Sequence, residues 1–127
     1  MVVVDASAVL DVLLNPLEHE RLRERLFRSE MHAPHLIDLE VLQVLRRYTL
    51  TREMADERAQ AAIVIYRALP IERHSHEVLM QRVWELRFNL TAYDAAYIAL
   101  AELLGAPLVT TDKRLAKSAP KTAEFIP

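Results

Sequence analysis

Apolar and polar positions along this chain follow two rhythms. Val2 to Val4 is an unbroken β-branched run, the pattern of a short strand buried on both faces of a parallel sheet. Met31–Ala33 (stopped by Pro34), Pro70–Arg73, Leu108–Thr111 and Thr122–Ile126 are read as further short strands. Between them the spacing turns helical: Ala8–Leu14, closed by Asn15-Pro16; Leu17–Arg28, with Leu22 and Leu26 on one face; and Leu36–Leu50. Thr51 reads as the cap of a helix over Arg52–Leu69, Ser75 of one over Glu77–Phe88, and Thr91 of one over Ala92–Leu104 that Gly105 ends. A short basic helix follows Asp112. The order β-α-α-β-α-α-β-α-α-β-α-β predicts one α/β domain over 1–127, a three-layer α/β/α sandwich around a small, mainly parallel sheet.

Composition narrows the chemistry. One glycine in 127 residues leaves little room for glycine-rich phosphate loops or hairpin-rich β-structure, given the usual ~7%. Without cysteine there is no disulfide, thiol nucleophile or cysteine-ligated zinc. The N-terminal apolar run is too short for a signal peptide, and no segment reaches the ~20 apolar residues of a membrane span. A cytoplasmic protein is expected. Net charge is −2, from 16 Lys and Arg against 18 Asp and Glu. If four carboxylates are committed to a site, 16 cations face the 14 remaining acids, leaving a mildly basic surface that permits RNA binding.

The informative acids interrupt apolar patterns. Asp5 and Asp112 stand at the carboxyl ends of predicted strands, where open parallel sheets bind ligands. Glu40 has Leu36, Ile37 and Val44 as helical neighbours, and Asp94 has Leu90, Tyr97 and Ile98, so both lie on apolar faces. An unpaired buried carboxylate costs several kcal/mol or stays protonated. A divalent cation such as Mg²⁺ or Mn²⁺, which prefers hard oxygen ligands, would account for all four together. Singly, each has another reading. Asp5 and Asp112 could cap the helices that follow them, Glu40 could pair with Arg46 or Arg47, and Asp94 could serve in the first turn behind Thr91. Asp38 lies about 200° around the helix from Glu40 at ~100° per residue and is assigned a structural or surface role.

Val-Val-Asp-Ala-Ser at 3–7, Pro-His-Leu-Ile-Asp-Leu-Glu-Val at 34–41 with Leu45-Arg46-Arg47, Thr-Ala-Tyr-Asp-Ala-Ala-Tyr at 91–97 and Leu-Val-Thr-Thr-Asp at 108–112 resemble PIN-domain proteins, in particular the VapC toxins of bacterial and archaeal toxin–antitoxin pairs. The resemblance spans essentially the whole chain, in the family's order. It implies a Mg²⁺- or Mn²⁺-dependent endoribonuclease, dimeric, inhibited by a cognate antitoxin whose C-terminal segment wraps it. Asp5, Glu40, Asp94 and Asp112 take the family's acidic places, and Ser7 and Thr111 its accessory polar places, where they would orient the ligands.

The expected chemistry is attack of water on a scissile RNA phosphate, leaving 5′-phosphate and 3′-hydroxyl ends, with Glu40 a candidate base. Arg46, Arg47, Lys113, Arg114 and Lys117 are candidate phosphate contacts; a solvated helix face or antitoxin contact is the other reading. His32, His35, His74 and His76 lack ligand-like helical spacing and are given surface or loop roles. Leu79, Met80, Trp84 and Phe88 form an apolar stripe assigned to core or dimer interface. Tyr97 is assigned to the core, and Tyr93 is open between core and RNA stacking. Rival classes are a Mg²⁺-binding receiver-like signalling domain and a catalytically inactive PIN binding module. Receivers carry acids on early strands and a lysine on the last, unlike Glu40 and Asp94. A phosphatase using Asp5 would carry a second Asp where Ser7 stands.

Overall fold

A computed structural model describes residues 1–127. Five strands and seven helices follow one another as β1 (Val2–Val4), α1 (Ala6–Leu14), α2 (Glu20–Phe27), β2 (Met31–Pro34), α3 (Ile37–Leu50), α4 (Asp56–Ala68), β3 (Ile71–His74), a 3₁₀ turn (Glu77–Leu79), α5 (Met80–Glu85), α6 (Ala92–Leu104), β4 (Leu108–Thr110), α7 (Lys113–Ser118) and β5 (Ala123–Phe125). The sheet order is β3-β2-β1-β4-β5, with every neighbouring pair parallel. Each residue of β1 is inaccessible to solvent, because helices cover both faces of the sheet. Helix α6 lies across β1, β2 and β4, while α1 packs with α2, α3 and α4. The predicted sandwich is the observed one.

This strand order positions the site. The chain builds outward from β1 through β2 to β3, then returns to lay β4 on the other flank of β1. The crevice beyond the carboxyl ends of β1 and β4 is therefore the topological switch point, where α/β sheets take ligands. Asp5 directly follows β1, and Asp112 lies two residues beyond the end of β4.

Helix boundaries differ from the expected ones where local chemistry overrides periodicity. Thr51 ends α3 instead of capping the next helix: its hydroxyl donates to the carbonyl of Arg47 at 3.0 Å, and Arg52 takes a left-handed φ of 61°. The amides of Glu53 and Met54 then turn back to the carbonyl of Tyr48, so α4 begins only at Asp56. The helix expected over Glu77–Phe88 is shorter, and its end tightens into i→i+3 bonds at Leu86, Arg87 and Asn89. Gly105 closes α6 in the left-handed conformation (φ 63°) expected of it.

The histidines require a correction. His32 lies within β2, 3% exposed, and His74 lies within β3. Neither is a loop residue, because the parallel pairing of two strands places them side by side.

Candidate active site

Asp5 is the innermost of the acids, 5% exposed. It caps α1: Oδ1 accepts from the amide of Ala8 at 2.9 Å and from the hydroxyl of Ser7 at 2.7 Å. Its Oδ2 accepts from the hydroxyl of Thr110 at the end of β4. Burial pushes its carboxyl above the usual carboxylate range, and the nearby charge of Asp112 adds to that, against the opposing pull of its three donors. The capping reading of Asp5 is thus true, yet the cap does not relieve the burial.

Thr110 ties the second acid to the first. Its Oγ1 accepts from the amide of Asp112 at 2.9 Å while donating to Asp5. Asp112 in turn caps α7 through Leu115 N at 3.1 Å. The hydrogen bond to Asp5 expected of Thr111 is made by its neighbour: Thr110 is fully buried, whereas Thr111 is half-buried and makes no side-chain hydrogen bond. Thr110 is the last residue of β4 and Thr111 lies just beyond it, so only the first of the two hydroxyls is held by the strand against Asp5. Ser7, the other residue given an accessory place, donates to Asp5 Oδ1.

Glu40 and Asp94 reach the same crevice from helices. Glu40, on the first turn of α3, accepts through Oε1 from the hydroxyl of Tyr97 on α6 at 2.6 Å. Burial raises its pKa, and the charges of Asp94 and Asp5 raise it further, against the bond from Tyr97. Neither Arg46 nor Arg47 pairs with it. Asp94 stands one turn before Tyr97 on α6, its amide bound to the Thr91 hydroxyl at 3.2 Å. Asp38 behaves as assigned, accepting from Tyr66 at 2.7 Å and Arg73 at 2.8 Å, away from the cluster.

The charge balance is the telling feature. Four carboxylates have one cationic partner among them, Arg114, which reaches Asp94 at 2.8 Å and Asp112 at 3.4 Å. Arg114 is 66% exposed and can leave. A donor set of oxygens alone, overcharged and partly desolvated, fits a hard divalent cation better than zinc, which favours nitrogen and sulfur ligands.

Among the candidate RNA contacts, Lys113, Arg114 and Lys117 are exposed on α7. Arg47 lines a cleft of about 420 Å³ that opens beside Ser7, together with Asp11, Tyr48, Glu53 and Arg58. Arg58, absent from the sequence reading, comes from α4 and reaches the cleft only through tertiary packing. Arg46, one residue from Arg47, turns instead to the groove between α3 and α4. Tyr97 is buried, whereas Tyr93, Met80, Trp84 and Phe88 are largely exposed and Leu79 alone of its stripe is core.

The PIN domain family model matches residues 2–120. The chain is 42% identical over 115 residues to Ribonuclease VapC9 of Mycobacterium tuberculosis, covering 91% of this chain and 88% of that protein. It is 45% identical over 116 residues to Ribonuclease VapC1 of the same organism, covering 90% and 87%. Among solved structures, Mycobacterium tuberculosis VapC20, described as a sarcin-ricin loop cleaving toxin, shares the fold with a TM-score of 0.70 at 15% identity, over 100% of both chains. This chain belongs to the PIN-domain family, among its VapC ribonucleases.

Proposed function

We propose that the chain, acting as one domain over 1–127, is a metal-dependent endoribonuclease and the toxin half of a toxin–antitoxin pair. The observation that carries this reading is the cluster of Asp5, Glu40, Asp94 and Asp112 at the switch point with a single, exposed arginine to balance it. Mg²⁺ or Mn²⁺ would be held chiefly by Asp5 and Asp94, with Glu40 and Asp112 beside them. When bound, such a cation polarises the scissile phosphate and makes the attacking water more acidic.

The chain's own groups supply the rest. Ser7 and Thr110 fix both oxygens of Asp5, so its orientation is set before a ligand arrives. Tyr97 occupies Oε1 of Glu40, leaving Oε2 to take a proton from water; the raised pKa brings that carboxylate nearer to the pH at which a base is effective. Arg114 is placed to exchange its carboxylates for an RNA phosphate, with Lys113, Lys117 and Arg47 extending the cationic rim. Incubating the purified protein with total RNA, with Mn²⁺ or with EDTA, tests the reading. New 5′-phosphate ends are expected only with the metal, and cleavage that persists in EDTA would overturn it.

The protein is expected to act in the cytoplasm; no helix is long and apolar enough to cross a membrane. A homodimer is supported by an apolar groove of about 650 Å³ lined by Leu36, Met80, Val83, Trp84 and Tyr93. Trp84→Glu is expected to sediment as a monomer where the wild type sediments as a dimer. Expression of the chain alone should arrest growth, and the product of a small reading frame beside its gene, the antitoxin, should relieve the arrest.

A further inference from the structure

We propose a second cation site, separate from the four acids, built from His32, Glu72 and His74 where β2 pairs with the edge strand β3. Register places His32 opposite Glu72. One potential ligand atom from each of the three residues lies within 4.8 Å of the others. His32 Nδ1 is the apex: it faces His74 Nε2 at 2.8 Å and Glu72 Oε2 at 3.5 Å. Ligand atoms on a tetrahedral zinc ion with bonds of ~2.0–2.1 Å stand roughly 3.3 Å apart. Opening the imidazole pair by about half an ångström brings the two nitrogens to that spacing, and Glu72 Oε2 already stands 3.5 Å from His32 Nδ1.

Two further features separate this cluster from an ordinary polar network. His32 is 3% exposed, and its other nitrogen, Nε2, meets the carboxylate of Glu30 at 2.8 Å. A carboxylate that takes the far N–H of a ligating imidazole fixes the tautomer which offers the opposite nitrogen to the metal. Glu72 and Glu30 are mostly exposed, so an ion has a path from solvent to the buried imidazole. Without metal the two rings are joined by one N–H···N hydrogen bond; for the ion to take its place, that proton passes to His74 Nδ1 or to solvent, which frees Nε2 as a ligand.

The chemistry of the donors names the ion. Two imidazoles and a carboxylate favour Zn²⁺, while the all-oxygen cluster favours Mg²⁺ or Mn²⁺. None of the four acids belongs to this set. Three protein ligands leave a position for water or for a group from a partner. The ion would clamp β3, the edge strand, onto β2.

Calorimetric titration with Zn²⁺ in a large excess of Mg²⁺ tests the proposal, with Co²⁺ as a spectroscopic probe of tetrahedral geometry. One Zn²⁺ per chain, a strong visible Co²⁺ band and a Zn²⁺-dependent rise in Tm are expected. All three should persist in Asp94→Asn and be lost in His74→Ala and Glu72→Gln. Glu30→Gln should weaken Zn²⁺ binding by about tenfold or more. Because Glu72 is exposed, its variant carries the test if His74→Ala fails to fold. No Zn²⁺ uptake above Mg²⁺, or uptake lost in Asp94→Asn and kept in Glu72→Gln, would overturn the site. Mn²⁺-dependent RNA cleavage by Glu72→Gln should equal that of the wild type in either case, which separates this result from the nuclease reading.

Discussion

Asp5→Asn is expected to abolish RNA cleavage while leaving the metal-free protein at least as stable as the wild type. The carboxylate is almost completely buried and its pKa is raised by that burial, so the ionised form is the strained one. Asparagine keeps the shape. Its oxygen can accept from Ala8 and Ser7 as Oδ1 does, and its amide can donate to Thr110 once that hydroxyl rotates. What disappears is the charge. Loss of a ligand worth several kcal/mol of transition-state stabilisation corresponds to a fall of about a thousandfold or more in rate.

Stability should move the other way. Removing the buried charge is expected to raise Tm in EDTA by a few degrees, on the order of 1 kcal/mol for a chain of this size. The pH dependence has the same origin. With its native pKa above the unfolded one, Asp5 is protonated first in the folded state as pH falls. Its contribution therefore favours folding below the raised native pKa and is lost as pH rises through it. The stability difference between wild type and Asp5→Asn in EDTA should shrink on acidification and widen towards neutral pH. Adding Mg²⁺ should raise the Tm of the wild type and leave the variant unmoved. Wild-type cleavage by Asp5→Asn would remove Asp5 from the site; a lower Tm in EDTA would remove the strain.

Thr110→Val carries the second large effect and tests the exchange of Thr111 for its neighbour. Valine fits the same buried volume, but Asp5 Oδ2 loses its only donor and the amide of Asp112 loses its acceptor. Leaving a buried polar group unsatisfied costs about 1–3 kcal/mol. A loss of roughly 2–4 kcal/mol in denaturant stability is expected for the pair. Metal affinity, read by Mn²⁺ titration of cleavage, should fall about 10- to 100-fold, as for other outer partners of metal ligands. Thr111→Val should change neither by a measurable amount, since that side chain makes no hydrogen bond here. Equal effects from the two variants would refute the assignment.

What the chain reveals on its own is what local pattern can encode. Val2–Val4, Leu108–Thr110 and the helical spacing around Glu40 and Asp94 exposed the α/β order and picked out the four acids, because an acid breaking an apolar rhythm is visible within one element. Tertiary structure alone decided which partners those acids have. Arg114 joins Asp94 to Asp112, Tyr97 meets Glu40, and Thr110 rather than Thr111 meets Asp5. His32 and His74, 42 residues apart, touch because β2 and β3 pair in one register. Strand order and register are set by the packing of the whole core, and a shift of one residue turns a side chain to the opposite face. No spacing within a single element carries that information.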